Sequence, residues 1–162
     1  MEIERKYLLS QEQIPMLKKH PSYEIEQSYI CTNPAIRLRK TTDGANGDDE
    51  YILSVKGQGA IIREEFELAI SSRHYYKLLA KIEGRIIKKT RYLVPLASGH
   101  VAEADVYHEY LSGLLTVEVE FDNVDDMNSF TPPEWFGRDV SDESMYKNSA
   151  LAIRGLQFRP FA

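Results

Sequence analysis

The segment Val117-Glu118-Val119-Glu120-Phe121 alternates apolar and acidic side chains without a break. In an extended strand, residues two apart share a face and lie about 7 Å from one another. Val117, Val119 and Phe121 therefore turn one way, and Glu118 with Glu120 the other. When two like charges approach to roughly 5 Å in an effective dielectric of about 20, they repel by about 3 kcal/mol. A strand that carries such a pair needs compensation from outside itself.

The same spacing recurs along the chain. Glu2, Glu4 and Lys6 open it, followed by Arg37 with Arg39, Lys56 alone, Glu65 with Glu67, Lys89 with Arg91, and Glu103 with Asp105. Phe66 and Leu68 flank Glu65 and Glu67 as the valines flank the last pair, so the opposite faces are largely apolar. A half-exposed antiparallel sheet also alternates apolar with polar residues. A solvated face, however, mixes Thr, Ser, Gln and Lys and mixes charge sign along a strand, whereas each two-member pair here is uniform in sign. Closing the strands into a barrel with the charged faces inward sets six basic side chains (Lys6, Arg37, Arg39, Lys56, Lys89, Arg91) against eight acidic ones (Glu2, Glu4, Glu65, Glu67, Glu103, Asp105, Glu118, Glu120).

Segments of strong β-propensity fall at 1–8, 23–32, 35–42, 51–57, 61–69, 85–95, 100–108 and 114–121. Pro34, Gly57-Gln58-Gly59, Ser98-Gly99 and Ser112-Gly113 supply tight turns, which join antiparallel neighbours because parallel ones need long crossovers. The stretch Asp43 to Glu50 is rich in Gly, Asp and Asn and reads as a long hairpin loop. The expected fold is mainly β (α+β): an eight-stranded antiparallel barrel with a few flanking helices, in a single domain over 1–162. A helix is expected from Ser72 to Glu83, with Tyr76, Leu79 and Ile82 on one side and Gly84 as its cap. Shorter helical turns are expected near Ser10 to Leu17, where Pro15 limits the length, and over 124–130, before Pro132-Pro133. A last helix is expected within 142–154, closed by Gly155.

Composition bounds the function. With 162 residues, 43% of them hydrophobic, the chain suffices for one core. A formal net charge of -5 argues against nucleic acid as partner, since neutralising phosphates along a duplex leaves a basic excess. The single Cys31 cannot form an internal disulfide, and no apolar run reaches the roughly 20 residues of a membrane span. Neither a secretory leader nor a membrane partner is expected, and the cytoplasm is the expected location. His20, His74, His100 and His108 lack metal-ligand spacing, and no glycine-rich phosphate loop is present.

Carboxylate clusters without His or Cys suit hard cations such as Mg²⁺ or Mn²⁺. Clustered Arg and Lys suit phosphate oxygens, Arg through planar two-point contacts and Lys through a compact charge. Metals and cations gathered around a thin polyanion make the arrangement that phosphoryl transfer requires.

The residues also resemble a known family. Glu2-Ile3-Glu4-Arg5-Lys6 is similar to the signature strand of the CYTH superfamily, the triphosphate tunnel metalloenzymes. The likeness continues through Gln27-Ser28-Tyr29, Arg37-Leu38-Arg39, Ser54-Val55-Lys56, Arg63-Glu64-Glu65-Phe66-Glu67, Lys89-Thr90-Arg91-Tyr92, Asp105-Val106-Tyr107 and Val117 to Phe121. It ends with Trp135 to Ser141 and Tyr146 to Ala152, and so runs in order over nearly the whole chain. Ser54 departs from the Thr of many members but keeps the hydroxyl.

The resemblance implies a tunnel barrel, dependence on Mg²⁺ or Mn²⁺, and a small triphosphate-containing substrate. The compact length and the Trp135 and Tyr146 regions look most like the short bacterial inorganic triphosphatases, which convert triphosphate to pyrophosphate and orthophosphate. Charge set and likeness together assign phosphate binding to Lys6, Arg37, Arg39, Lys56, Lys89 and Arg91. They assign the metal wall to Glu2, Glu4, Glu65, Glu67, Asp105, Glu118 and Glu120, with Glu4, Glu118 and Glu120 preferred. Lys6 or Lys56 is the catalytic candidate that orients the attacking water. A class IV adenylate cyclase, a thiamine triphosphatase and a non-catalytic polyphosphate-binding module are the alternatives. The absence of a His-Phe strand pattern weighs against the cyclase. Oligomeric state, a homodimer included, is left open.

Overall fold

The computed structural model of the chain describes residues 1–156. Nine strands form one antiparallel sheet: β1 (Glu2–Leu8), β2 (Ser22–Thr32), β3 (Ala35–Asp43), β4 (Asp49–Lys56), β5 (Ile62–Arg63), β6 (Glu65–Ala69), β7 (Glu83–Pro95), β8 (Val101–Tyr107) and β9 (Leu115–Glu120). Their spatial order is β5-β1-β9-β8-β7-β2-β3-β4-β6. The two ends of that order are consecutive in the chain. β5 pairs with β1, setting Arg63 opposite Glu2, and β6 pairs with β4, setting Glu65 opposite Lys56. The expected single strand over 61–69 thus serves both margins of the sheet and breaks at Glu64, whose carbonyl accepts the Gly57 N–H at 2.8 Å. The result is a nearly closed barrel with nine strands where eight were expected.

Apolar packing lies outside the barrel wall. Ile3, Tyr7, Val117, Val119, Phe121, Ala102 and Ala104 turn outward from β1, β9 and β8. They pack beneath Leu17 of α1 (Ile14–Leu17), Met127 of α3 (Val124–Ser129) and Phe136. A second cluster closes one end, where Leu151 and Ala152 of α4 (Asn148–Arg154) and Tyr146 rest on Tyr29, Ile87 and Tyr107. Burial of these side chains at roughly 25 cal/mol per Å² fastens the helices to the wall and leaves the inner face to the charged residues. On β6 the outward Phe66 and Leu68 stay 57% and 48% exposed. Among the described residues, no helix is long and apolar enough to cross a membrane.

Two helices differ from expectation. α2 (Ser72–Leu79) starts at Ser71, whose hydroxyl accepts the His74 N–H at 3.1 Å, but it ends early. The Lys81 N–H turns back to the Leu78 carbonyl and the chain enters β7 at Glu83. Tyr75, against Tyr51 at 4.9 Å, is the buried side chain, while Tyr76 is half exposed. The last helix is confined to 148–154, with a single 3-10 turn at Ser144–Tyr146 before it and Gly155 at its end, as expected.

Gly84 is therefore a strand residue and not a helix cap. Its φ of 70° and the approach of Ala152 let β7 and α4 touch: a Cβ there would sit 2.4 Å from the Ala152 carbonyl oxygen. Gly84→Ala should cost about 1–3 kcal/mol. Thermal and urea denaturation check this; an unchanged midpoint would mean that α4 does not depend on the contact.

Candidate active site

Of the six basic and eight acidic side chains anticipated, all but Asp105 line a single cavity of about 300 Å³ along the barrel axis. Strand register explains the convergence. Glu4 lies opposite Glu120 and Lys6 opposite Glu118, and Glu103 faces Glu118 from β8. Arg91 lies opposite Asp105, Arg37 opposite Ser54, and Lys56 opposite Glu65.

Most cations in the bore are matched. Lys56 Nζ stands 3.2 Å from Glu2 and 3.0 Å from Glu65. Lys6 Nζ donates to the Tyr146 carbonyl at 3.1 Å and lies 3.6 Å from Glu118. Arg91 reaches Glu103 at 3.0 Å. Arg37 and Arg39 differ, because only Glu67 approaches them, at 4.0 and 3.8 Å. The Nε atoms of both, and the hydroxyl of Ser54 opposite Arg37 on β4, are buried without a hydrogen-bond partner among the described residues. Burial, followed by the charges of Arg37 and Arg91, lowers the Arg39 pKa. A buried donor without a partner costs about 1–3 kcal/mol, so this wall gains by receiving an anion.

Asp105, anticipated on the metal wall, does not reach the bore. Its side chain is 0% exposed, and its two oxygens grip Lys89 at 2.8 Å and Arg91 at 2.8 and 3.0 Å from behind. The role the geometry gives it is to aim two cations. Burial lowers Lys89 to about 8 against the pull of Asp105.

The carboxylates form close pairs. Among the described residues, no three of them stand as a ready-made cation cage, yet Glu2 contacts Glu65 and Glu4 contacts Glu118 carboxyl to carboxyl. Burial and then the charges of Glu118 and Glu2 push Glu4 up to about 9. Burial also works to raise Glu118, but Lys6, Arg91 and Lys89 outweigh it and hold that group well below the usual carboxylate range. One carboxyl of the pair is thus protonated at neutral pH, in a place where a cation could take the proton's role.

Several lining residues stood in the stretches that carry the family resemblance but were not assigned to the site from sequence. Arg63 bonds Glu2 at 3.1 Å and approaches Glu4 at 3.7 Å. It precedes Glu65 by two residues, but its opposite sign hid it from a search for uniform pairs. Gln27, which donates to the Tyr29 hydroxyl at 2.8 Å, carries no charge to betray it. Ser141, Lys147, Asn148 and Ser149 come from the carboxy-terminal segment, whose position over one end of the barrel is a tertiary fact.

No family model matches the chain. An inorganic triphosphatase of Nitrosomonas europaea is 38% identical over 94% of this chain and 97% of its own length. The chain belongs to the inorganic triphosphatase family. A second inorganic triphosphatase, from Acetivibrio thermocellus, is 29% identical over 93% of this chain and 92% of its own length. Among solved structures, an inorganic triphosphatase superposes with a TM-score of 0.61 at 34% identity, covering 94% of this chain and 95% of the other. A protein from Pyrococcus horikoshii, at 21% identity and TM-score 0.59 over 79% of this chain and 82% of its own, shares the fold. The triphosphatase family and the CYTH resemblance of the sequence therefore agree, and the charged bore is the feature of this member's barrel that bears on chemistry.

Two outcomes are expected. Asp105→Asn leaves Lys89 and Arg91 buried without their counter-charge and should cost about 3–5 kcal/mol in urea denaturation; a loss below about 1 kcal/mol would show the grip to be unimportant. For Glu4, the folded pKa of about 9 lies above the ordinary 4.5, so the folded state holds a proton that the unfolded chain has released. Its contribution to stability falls as pH rises from about 4.5 to about 9. Glu4→Gln should flatten the pH dependence of the melting temperature over that window, and an unchanged slope would remove Glu4 as its source.

Proposed function

We propose that the protein hydrolyses inorganic triphosphate to pyrophosphate and orthophosphate within this bore, with Mg²⁺ or Mn²⁺. The observation that carries the reading is the pair of under-partnered guanidinium groups of Arg37, buried, and Arg39, partly buried, beside Lys6, Lys56, Lys89 and Arg91 in one cavity. Those six groups bind the non-bridging oxygens, the arginines by paired N–H donors and the lysines as compact charges. Arg63 adds a further cation on the β5 side.

The donor set fits a hard divalent cation: it is all carboxylate, and Glu4 meets Glu118 carboxyl to carboxyl at a point where a cation could replace the shared proton. Glu4, Glu118 and Glu120 would hold it, with Glu2, Glu65 and Glu67 as the remaining acidic wall. When bound, such a cation supplies charge neutralisation of the phosphates and Lewis-acid polarisation. Asp105 is not among its ligands, because both oxygens are committed to Lys89 and Arg91.

Between the two lysines considered for the water, Lys6 is engaged by the Tyr146 carbonyl, and Lys56 lies between two carboxylates. Lys56 accordingly orients the water and the Glu2–Glu65 pair accepts its proton. The water oxygen bonds to a terminal phosphorus, the bond from that phosphorus to its bridging oxygen breaks, and pyrophosphate departs with the electron pair. Among the described residues, the aromatic lining of the bore is Tyr29 and Tyr146, both buried. Neither offers an open ring face to a nucleobase or a thiazolium, which favours the inorganic substrate over ATP and thiamine triphosphate.

The test is phosphate release from inorganic triphosphate, ATP, thiamine triphosphate and longer polyphosphate, each with Mg²⁺, Mn²⁺ and Ca²⁺. Inorganic triphosphate should give the highest kcat/KM; tight binding without release under any metal would make the protein a polyphosphate-binding module. Glu120 is exposed and forms no ion pair among the described residues, so Glu120→Gln should keep the fold and lose about 10²-fold or more in metal-dependent turnover. Full activity in that variant would overturn the metal assignment.

A further inference from the structure

The inner face of β2 and β3 carries hydrogen-bond donors that the charge pattern of the chain does not reveal. Strand register sets Gln27 opposite Arg39 and Tyr29 opposite Arg37, and all four side chains line the bore. Gln27 and Tyr29 are 2% and 4% exposed. The Tyr29 ring belongs to the apolar cluster of Ile87, Tyr107 and Leu151, while its hydroxyl lies within electrostatic reach of Arg63. The phenol thus keeps its apolar body in the core and its polar tip among the cations of the bore. Gln27 Nε2 donates to the Tyr29 hydroxyl oxygen at 2.8 Å. That bond occupies a lone pair of the oxygen, so the phenolic proton points elsewhere, and no described residue accepts it. A buried tyrosine hydroxyl ordinarily has an acceptor. The carboxylates nearest the lysines are already engaged, Glu2 and Glu65 by Lys56 and Glu118 by Lys6.

We propose that Tyr29 is a substrate-binding residue: its hydroxyl, aimed by Gln27, donates to an oxygen of the phosphate that Arg37 holds. This rests on the reading of the bore as a triphosphate site. An anion that takes this proton displaces no carboxylate, whereas one that binds Lys56 competes with Glu2 and Glu65. The bond formed has a charged acceptor, which makes it shorter and stronger than a bond between neutral groups. The donor itself is neutral. It therefore holds the bound substrate and the transition state about equally, and its effect falls on KM more than on kcat. Gln27 acts through Tyr29 and is a positioning residue: with its N–H on one lone pair of the phenol, the O–H is left free for the anion. A tyrosine placed here for packing alone would give the same ring contacts, but its hydroxyl would make no difference to binding.

The experiment is calorimetric titration of the protein with tripolyphosphate in the absence of divalent cation, joined to steady-state kinetics with metal and to thermal melting. Tyr29→Phe keeps the ring and removes only the hydroxyl. It should weaken binding and raise KM by about tenfold while kcat changes by less than about twofold. The loss should persist as salt is raised, because the missing donor carries no charge, whereas the loss in Arg39→Gln should shrink. Gln27→Met should weaken binding in the same direction, and the double variant should bind no worse than Tyr29→Phe alone, since both act through one hydroxyl. Tyr29→Phe that binds tripolyphosphate as tightly as the wild type, with or without a lower melting temperature, overturns the proposal. Losses that add in the double variant overturn the role of Gln27. Should the wild-type protein bind tripolyphosphate and release no phosphate, the hydrolytic reading fails, whereas the titrations still decide the role of Tyr29.

Discussion

Like charges brought together inside the barrel have to be balanced, and this constraint governs the structure. Glu4 touches Glu118, Glu2 touches Glu65, and Arg37 and Arg39 share one distant carboxylate. None of these contacts stabilises a fold by itself, and in a low dielectric each opposes it. The barrel tolerates them because its stability comes from elsewhere, from the apolar shell between the outer wall and α1, α3 and α4. An arrangement of this kind is strained toward ligands: a cation that replaces the Glu4 proton and a polyanion that engages Arg37 and Arg39 would each relieve repulsion already built into the wall.

The balance is not uniform along the bore. Asp105, fully buried, neutralises Lys89 and Arg91 from behind and so fixes where those cations sit. Lys56 is held between Glu2 and Glu65. Arg37 and Arg39 keep the least compensated charge, with Glu67 alone near them.

Much of this was legible in the chain itself. The i, i+2 repetition of charges with apolar residues between them required a two-faced sheet, and the uniform sign of each pair required an enclosed one. Strand positions followed from the same alternation. The reading failed where a residue's role depends on something across the fold. Asp105 shares its strand face with Glu103, yet one borders the cavity and the other is sealed behind Lys89 and Arg91. Gly84 looked like a helix cap because the helical pattern before it was good, but the close approach of Ala152 explains the glycine better.

Local pattern determined that this protein is a β-barrel with an acidic and basic interior, because side-chain alternation in a strand is fixed by backbone geometry and needs no tertiary information. Tertiary structure alone decided which carboxylates meet, that Ile62 to Ala69 stitches both margins of the sheet, and that a segment beginning 140 residues downstream of Lys6 takes up its ammonium group. Those outcomes depend on strand register and on where the apolar shell docks α4, and both are set by contacts between residues that the sequence keeps far apart.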